Sequence, residues 1–458
     1  MSLESKLRQM SGQLELSLGP RGEALKSERS GEAPPAAHGD ERSGTDDLIE
    51  RVVARDNCIR ALKRVRKNKG SPGVDGMSVK ELSAYLVEHW PRIREQLRAG
   101  AYRPKPVLRC EIPKANGGTR QLGIPCALDR FIQQAILQVL QPRFDPTFSQ
   151  HSYGFRPRRS AHQAVLEAQR YLNEGRHWVV DVDLEKLFDR VNHDLLMGRL
   201  ARRIKDKRML KLIRSYLDAG MMVDGVVIER AEGTPQGGPL SPLLANVLLD
   251  EVDKELERRG LAFVRYADDC NVYVRSKRAG DDAMALLRRL FTKLRLHVNE
   301  GKSAVARPDE RKLLGYSFRI DSKGAVHPVV AKSSIDRLKD RVRAATRRVV
   351  GRSITQVVAE LRVFLPGWKN FFQLAKTPCT FRDIDGWIRR RLRALQLKQW
   401  KNCRTIAREL RARGAPGHFV LPVTKHAGSW WRMARHAALQ TALPSRYFEA
   451  IGVPLLSA

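Results

Sequence analysis

Two adjacent aspartates, Asp268 and Asp269, sit in the stretch FVRYADDCNVYVRS (residues 263–276), between runs that read as β-strands. Asp favours turns, and a solvated turn tolerates charge, so an isolated Asp-Asp pair is ordinary turn chemistry. The flanks change that reading. Phe263, Val264, Tyr266, Val272, Tyr273 and Val274 mark strands in a core. The carboxylates therefore approach low-dielectric surroundings and repel each other unless a cation lies between them. A second acid pair, Asp181 and Asp183, ends the apolar run HWVVDVD, and two residues apart on a strand means one face of a sheet. Asp183 placed beside Asp268 and Asp269 gives three carboxylates, the hard oxygen ligands that Mg²⁺ prefers while it keeps water and substrate phosphates. Such a set suits two-metal phosphoryl transfer, in which one ion sharpens an attacking 3′-hydroxyl and the other holds a triphosphate.

The elements that must position these acids are legible in outline. Helical periodicity runs from Asp47 to about Arg66 and again through SVKELSAYLVEHW. VLRCEIPK and TRQLGIP read as strands joined by an Asn116-Gly117-Gly118 turn, followed by the long apolar helix DRFIQQAILQVLQPRF. HWVVDVDLEKLF reads as a buried strand entering a turn. A helical stretch from Asp194 to Ala219 precedes a hairpin turning at Asp224-Gly225, and Ser241-Pro242 reads as the N-cap and first-turn proline of a helix ending at Gly260. The aspartate stretch is then strand, turn, strand, followed by a helix through AMALLRRLFTKLRLHV and a hairpin over LLGYSFRIDSKGAVHPVV. After Lys332 the pattern is helical and very basic. The expected architecture is α+β for residues 46–330 and all-helical for 331–458. Residues 1–45, rich in Ser, Gly, Pro and charge, are expected to be a disordered leader.

DVDLEKLFDRVNHDLL, GTPQGGPLSPLLANVLLDEVD, RYADDCNVYV, LHVNEGKS and LLGYSF stand in the order and spacing of reverse-transcriptase motifs. Together they resemble a bacterial group II intron-encoded reverse transcriptase and maturase over roughly residues 50 to 455. The resemblance implies a right-hand polymerase, fingers and palm followed by a helical thumb/maturase part. It makes Asp183, Asp268 and Asp269 the catalytic aspartates and the ligands of two Mg²⁺ ions. Phe188, five residues after Asp183, corresponds to the aromatic gate that collides with a 2′-hydroxyl; otherwise it is a core aromatic. Gln236, in TPQGG, corresponds to a residue holding the incoming nucleotide, where the plain alternative is a turn residue. Lys114 and Arg120 flank the Gly-tipped hairpin, and the resemblance assigns them to the dNTP triphosphate, in keeping with charge that develops during transfer.

With 84 Lys and Arg against 50 Asp and Glu, a formal charge of +34 points to a polyanionic partner. The stretch from Gly386 to Arg413 is dense in basic residues. Trp387, Ile388, Leu392 and Leu395 recur at helical spacing as a buried stripe, leaving Arg389, Arg390, Arg393 and Lys401 to line an exposed side facing RNA phosphates. Trp368, Phe371 and Phe372, in a segment resembling the maturase region, read as helix-packing core more readily than as base-stacking platforms. The six cysteines are scattered without zinc-finger spacing, so reduced thiols are expected. No run of about 18 apolar residues and no apolar signal core occur, which predicts a cytosolic protein with no membrane partner; the resemblance implies a bacterial, nucleoid-associated one. The end of the chain lacks the Cys pairs and His cluster of an HNH endonuclease, so no cleavage of a second DNA strand is expected.

The function implied is RNA-directed DNA synthesis from a target-site DNA 3′ end, with intron RNA as both template and splicing substrate, and primer DNA and dNTPs as further partners. Two rivals stay open: a splicing-only RNA-binding maturase, and a host-defence or domesticated reverse transcriptase without an intron.

Overall fold

The structure is a computed structural model that describes residues 47–113, 119–223, 226–228, 232–234, 237–347 and 351–457. The expected leader lies outside the described residues. The chain divides into two compact units that part between Arg307 and Pro308.

In the first unit, α1 (Leu48–Val53) and α2 (Arg55–Asn68) are separated by Ala54, whose extended ψ of 138° interrupts the helix expected to run unbroken. Next come α3 (Leu82–Arg98), the hairpin β1 (Val107–Pro113) and β2 (Thr119–Ile124), and α4 (Ala127–Phe144), which is buried on most of its surface. A capping box from Ser160 and Gln163 starts α5 (Ala161–Asn173). β3 (Trp178–Val182) leads through a short 3₁₀ turn, Leu187–Asp189, into α6 (His193–Ala201) and α7 (Lys207–Asp218). The single helical stretch read from Asp194 to Ala219 is thus two helices. Asp206 accepts from the Arg208 and Met209 amides to cap the second, and its other oxygen takes the Ile49 amide at 3.1 Å.

β4 (Met221–Val223) and β5 (Val226–Ile228) complete one sheet in the order β2-β1-β4-β5. α8 (Ser241–Arg258) follows; Leu240, not Ser241, occupies its cap position. β6 (Ala262–Tyr266), β7 (Asp269–Val274), α9 (Lys277–Lys293) and β8 (Ala304–Ala306) close the unit, with a second sheet in the order β6-β7-β3-β8. All its pairings are antiparallel. Val180 and Val182 of β3 enter one continuous core with Phe263, Val272 and Leu287, which leaves Asp181 and Asp183 on the other parity of the strand.

The second unit holds the hairpin β9 (Tyr316–Ile320) and β10 (Val326–Val330), then α10 (Lys332–Ala345), α11 (Ile354–Phe371), α12 (Pro378–Gln399), α13 (Cys403–Ala412), α14 (Gly417–Lys425) and three shorter helices. The hairpin, read from sequence with the mixed α/β part, lies with the helices for a packing reason. The Tyr316 ring meets Phe372 at 5.0 Å between centroids and Phe371 at 6.0 Å, and its hydroxyl donates to the Phe371 carbonyl. Trp368 lies 4.6 Å from Phe372, so these aromatics form packing core, as their spacing suggested. From Lys332 onward every described element is helical. All six cysteines are free, and no helix among the described residues is long and apolar enough to cross a membrane.

Candidate active site

The corner formed by the end of β3 and the β6–β7 turn gathers the three aspartates. β3 pairs with β7 so that Val182 faces Cys270, the last pair of the ladder, and Asp183 and Asp269 are the next residues beyond it. β6 pairs with β7 so that Tyr266 faces Asp269, leaving Ala267 and Asp268 as a two-residue turn. Ala267 has φ of 60°, a left-handed conformation in which an L side chain costs about 1–2 kcal/mol. Strain of this kind persists only where the surroundings over-determine it.

The surroundings do so through Arg265. Its side chain is 1% exposed, and all five guanidinium N–H groups have acceptors. Nε and Nη2 make a bidentate pair with Asp253 at 2.7 and 2.6 Å, Nη2 also donates to Ser152 Oγ at 2.7 Å, and Nη1 donates to Asn246 Oδ1 at 2.9 Å and to the Ala267 carbonyl at 3.0 Å. Asn246 in turn donates to the Gly154 carbonyl at 2.9 Å. Gly154 presses against the turn so closely that a Cβ would overlap the Ala267 amide nitrogen. The turn carrying Asp268 and Asp269 is therefore held from beneath by an ion pair on β6 and α8 and by a residue that must lack a side chain.

Asp183 is held from the opposite side. Its amide donates to Ser303 Oγ at 3.1 Å, its carbonyl accepts from the Asn299 amide at 2.8 Å, and its carboxylate pairs with Lys302 Nζ at 3.0 Å. The segment LHVNEGKS is thus a buttress for this strand end. Asp183 and Asp268 are half-buried and Asp269 is exposed. The neighbouring Cys270 is fully enclosed, and burial pushes its thiol up to about 12, which leaves it inert.

Among the described residues no three His, Cys, Asp or Glu side chains converge as a metal-ligand group. The convergence is one of backbone positions, with the Asp183 carboxylate turned to Lys302. Donor chemistry and strand register fit a divalent cation, and Asp183 would exchange the ammonium for the ion. That exchange is open to it because the Lys302 side chain is 68% exposed.

Phe188 lies in the 3₁₀ turn five residues past Asp183, half-buried against the core. Its carbonyl accepts from the Thr234 amide at 2.6 Å, which ties it to the loop leading to Gln236. Gln236 and Lys114 lie outside the described residues. Arg120 is in β2 opposite Ile112. Gly237, at φ of 134°, packs so that a Cβ would come within 2.7 Å of the Gly123 carbonyl. The Gly-rich loop thereby rests on the hairpin that carries Arg120.

The basic side chains read as an exposed row on α12 need correction. Arg390 donates to the Trp431 carbonyl at 2.9 and 3.2 Å with its guanidinium 3.7 Å over the Trp431 ring. Arg393 donates to the Leu443 carbonyl at 2.9 Å and covers Phe448. Both hold later helices to α12, and burial pushes both guanidinium pKa values down. Arg389 is half-buried and Lys401 is exposed. Arg265, Gly154 and Lys302, all absent from the residues singled out by sequence, are the supports of the aspartates. The one signal for Arg265 was a charge inside the apolar strand AFVRY, a place where burial demands a partner.

Residues 112–318 match the profile described as "Reverse transcriptase (RNA-dependent DNA polymerase)", and residues 335–414 match "Group II intron, maturase-specific domain". The chain is 41% identical over 222 residues to Protein YkfC of Escherichia coli (strain K12), covering 47% of this chain and 58% of that one. It is 37% identical over 206 residues to the Group II intron-encoded protein LtrA of Lactococcus lactis subsp. cremoris, covering 45% and 34%. The match thus spans between about a third and three-fifths of these relatives' lengths. Among solved structures, a partial Cas6-RT-Cas1--Cas2 complex aligns at 27% identity with a TM-score of 0.35, covering 55% of this chain and 43% of that one. The chain thus carries a reverse transcriptase segment followed by a group II intron maturase-specific segment, and it is similar to group II intron-encoded proteins.

Proposed function

We propose that the protein is an RNA-directed DNA polymerase that binds its intron RNA, assists splicing, and copies that RNA into DNA from a target-site DNA 3′ end. Fingers and palm roles fall in the mixed part of the chain, to about residue 330, and thumb and maturase roles in the helical remainder. The observation that carries the reading is the corner at which the end of β3 meets the β6–β7 turn, with Asp183 and Asp269 next beyond the last β3–β7 pair and Asp268 in the turn. Reverse transcriptases as a family work with divalent metal ions; here two Mg²⁺ ions held by these three aspartates would activate the 3′-hydroxyl and neutralise the triphosphate.

The chain's own residues supply position. The primer 3′-oxygen attacks the α-phosphorus in line, loses its proton, forms the new P–O bond, and displaces pyrophosphate as the α–β bridging bond breaks. Arg265 and Gly154 fix the turn before substrate arrives, so little reorganisation remains for the reaction itself. Phe188 would exclude a 2′-hydroxyl, Gln236 would hold the incoming nucleotide, and Lys114 and Arg120 would meet the triphosphate. Lys401 and Arg389 remain the α12-region candidates for RNA phosphates. A nucleoid-associated site of action would follow from the positive charge and DNA target.

The test is primer extension on an RNA template with dNTPs and Mg²⁺, comparing wild type with Asp268→Asn while RNA affinity is followed in parallel. Extension by the wild type and binding without extension by the variant support the reading. Tight binding and splicing assistance without extension by either would leave a splicing-only protein.

A further inference from the structure

His193 is the first residue of α6, the fifth residue after Phe188. Its ring is 2% exposed, and Nε2 lies 2.7 Å from the Gly233 carbonyl, an oxygen that can only accept. Nδ1 faces Asp218 Oδ1 at 3.2 Å. Asp218, at the end of α7, is half-exposed and is bracketed by Arg214, whose Nε is 3.0 Å from both carboxylate oxygens and whose Nη1 reaches Asp194 at 2.6 Å. A chain of charged and polar contacts therefore runs from the surface to the carbonyl of Gly233.

That carbonyl belongs to a strip laid antiparallel on the gate segment. Asn192 bridges Glu232, the Gly233 amide donates to the Val191 carbonyl at 2.8 Å, and the Thr234 amide donates to the Phe188 carbonyl at 2.6 Å. Gly233, at φ of 93°, lies so close that a Cβ would come within 2.8 Å of the Asp189 carbonyl oxygen. The strip thus runs along the gate segment from Asn192 back to Phe188. The Thr234 hydroxyl is fully buried without a hydrogen-bond partner among the described residues. Among the described residues, the His193 ring adds a side-chain bond to the two backbone bonds that hold this strip.

We infer that His193, backed by Asp218 and Arg214, is a positioning residue that holds the 232–234 strip on the segment carrying the sugar gate Phe188, and so sets nucleotide selectivity. The inference rests on the nucleotide-pocket reading of Phe188 given above. Loss of the ring bond leaves Phe188 present but its placement less defined. A displacement far from the reacting atoms then weakens correct binding and relaxes rejection of a 2′-hydroxyl.

The experiment measures single-nucleotide incorporation on a primed RNA template, with dNTP and with rNTP, for wild type, His193→Gln and Asp218→Asn. Expected for His193→Gln is a KM for dNTP raised several-fold, up to about tenfold for one buried hydrogen bond. Expected with it are a kcat within about twofold of wild type and a lower dNTP-over-rNTP preference. Asp218→Asn, half-exposed and still able to meet the ring, should move the same two readouts in the same direction by less. A fall in kcat together with the melting temperature, at unchanged KM and unchanged preference, overturns the inference and makes His193 a purely structural residue. If His193→Gln does not fold, unchanged KM and preference in Asp218→Asn overturn it. Wild-type protein that incorporates neither nucleotide overturns the polymerase reading, and with it this inference; wild type that incorporates while both variants match it overturns this inference alone.

Discussion

Asp253→Asn should unhinge the aspartate turn without touching an aspartate in it. Arg265 and Asp253 are 1% and 0% exposed, so the substitution strands a guanidinium charge where water cannot reach it. Removing one partner of a buried pair costs about 3–5 kcal/mol. The double variant Arg265→Met with Asp253→Leu removes the charge as well as its partner, and pairs of this kind replaced by apolar groups often regain most of the loss. What the double variant cannot regain is the donor to the Ala267 carbonyl, 3.0 Å away in the wild type, which helps hold Ala267 at φ of 60°. Stability and turn geometry therefore separate. Hydrogen exchange over β6 and β7 reads the first locally, without assuming that the two units of the chain unfold together. Single-turnover incorporation at saturating dNTP reads the second. The expected pattern is strongly reduced protection in Asp253→Asn, protection largely restored in the double variant, and incorporation slow in both. Protection in Asp253→Asn within about 1 kcal/mol of wild type, or a double variant that incorporates at the wild-type rate, would refute the argument that this ion pair preorganises the turn.

Four further outcomes are expected. Phe188→Ala should lower dNTP-over-rNTP selection by about tenfold or more in competition assays while leaving extension with dNTPs measurable; unchanged selection would return Phe188 to the core. Asp129, 2% exposed, accepts from Tyr102 Oη at 2.7 Å, yet burial outweighs this bond and pushes its carboxyl up to about 6. The folded protein then keeps a proton that the unfolded chain releases near pH ~4, so stability falls as pH rises from about 4 to 6, by on the order of 3 kcal/mol, and is level above that. Asp129→Asn should flatten the pH dependence of melting across that window, and an unchanged slope would contradict the assignment. RNA affinity should fall steeply with salt, with Lys401→Ala making the dependence shallower by about one counterion. Arg390→Ala, by contrast, should lower the melting temperature of the helical unit first, because its guanidinium is spent on Trp431.

The parts of the fold that were legible in the sequence are those governed by neighbours along the chain. The strand-turn-strand around Asp268 follows from alternating apolar residues and two turn-favouring acids, and β3 follows from its valines. The register that brings Asp183 and Asp269 to the same end of the β3–β7 ladder does not follow from either strand alone, since it is fixed by pairing between segments about ninety residues apart. The division of 194–219 into two helices is set by Asp206, a capping residue that stands among arginines and lysines compatible with one continuous helix. The placement of the β9–β10 hairpin depends on Tyr316 meeting Phe371 and Phe372, a contact that periodicity cannot see. Two of the four basic residues, Arg390 and Arg393, depart from the expected row for the same reason: the carbonyls that take them come from residues 41 and 50 positions further on. Charge density announced a polyanion, but only tertiary structure distinguishes an arginine that meets phosphate from one that staples helices.

The claim on which the rest depends is that the β3 end and the β6–β7 turn together hold divalent metal. The most direct measurement is Mn²⁺ binding, followed by its electron paramagnetic resonance signal. The sample would be the full chain on an RNA template with a dideoxy-terminated primer and a matching dNTP, and Asp183→Asn would be measured beside the wild type. The account predicts saturable binding by the wild type and at least about tenfold weaker binding by the variant, with primer–template affinity unchanged. Equal Mn²⁺ affinity in the two proteins would contradict it.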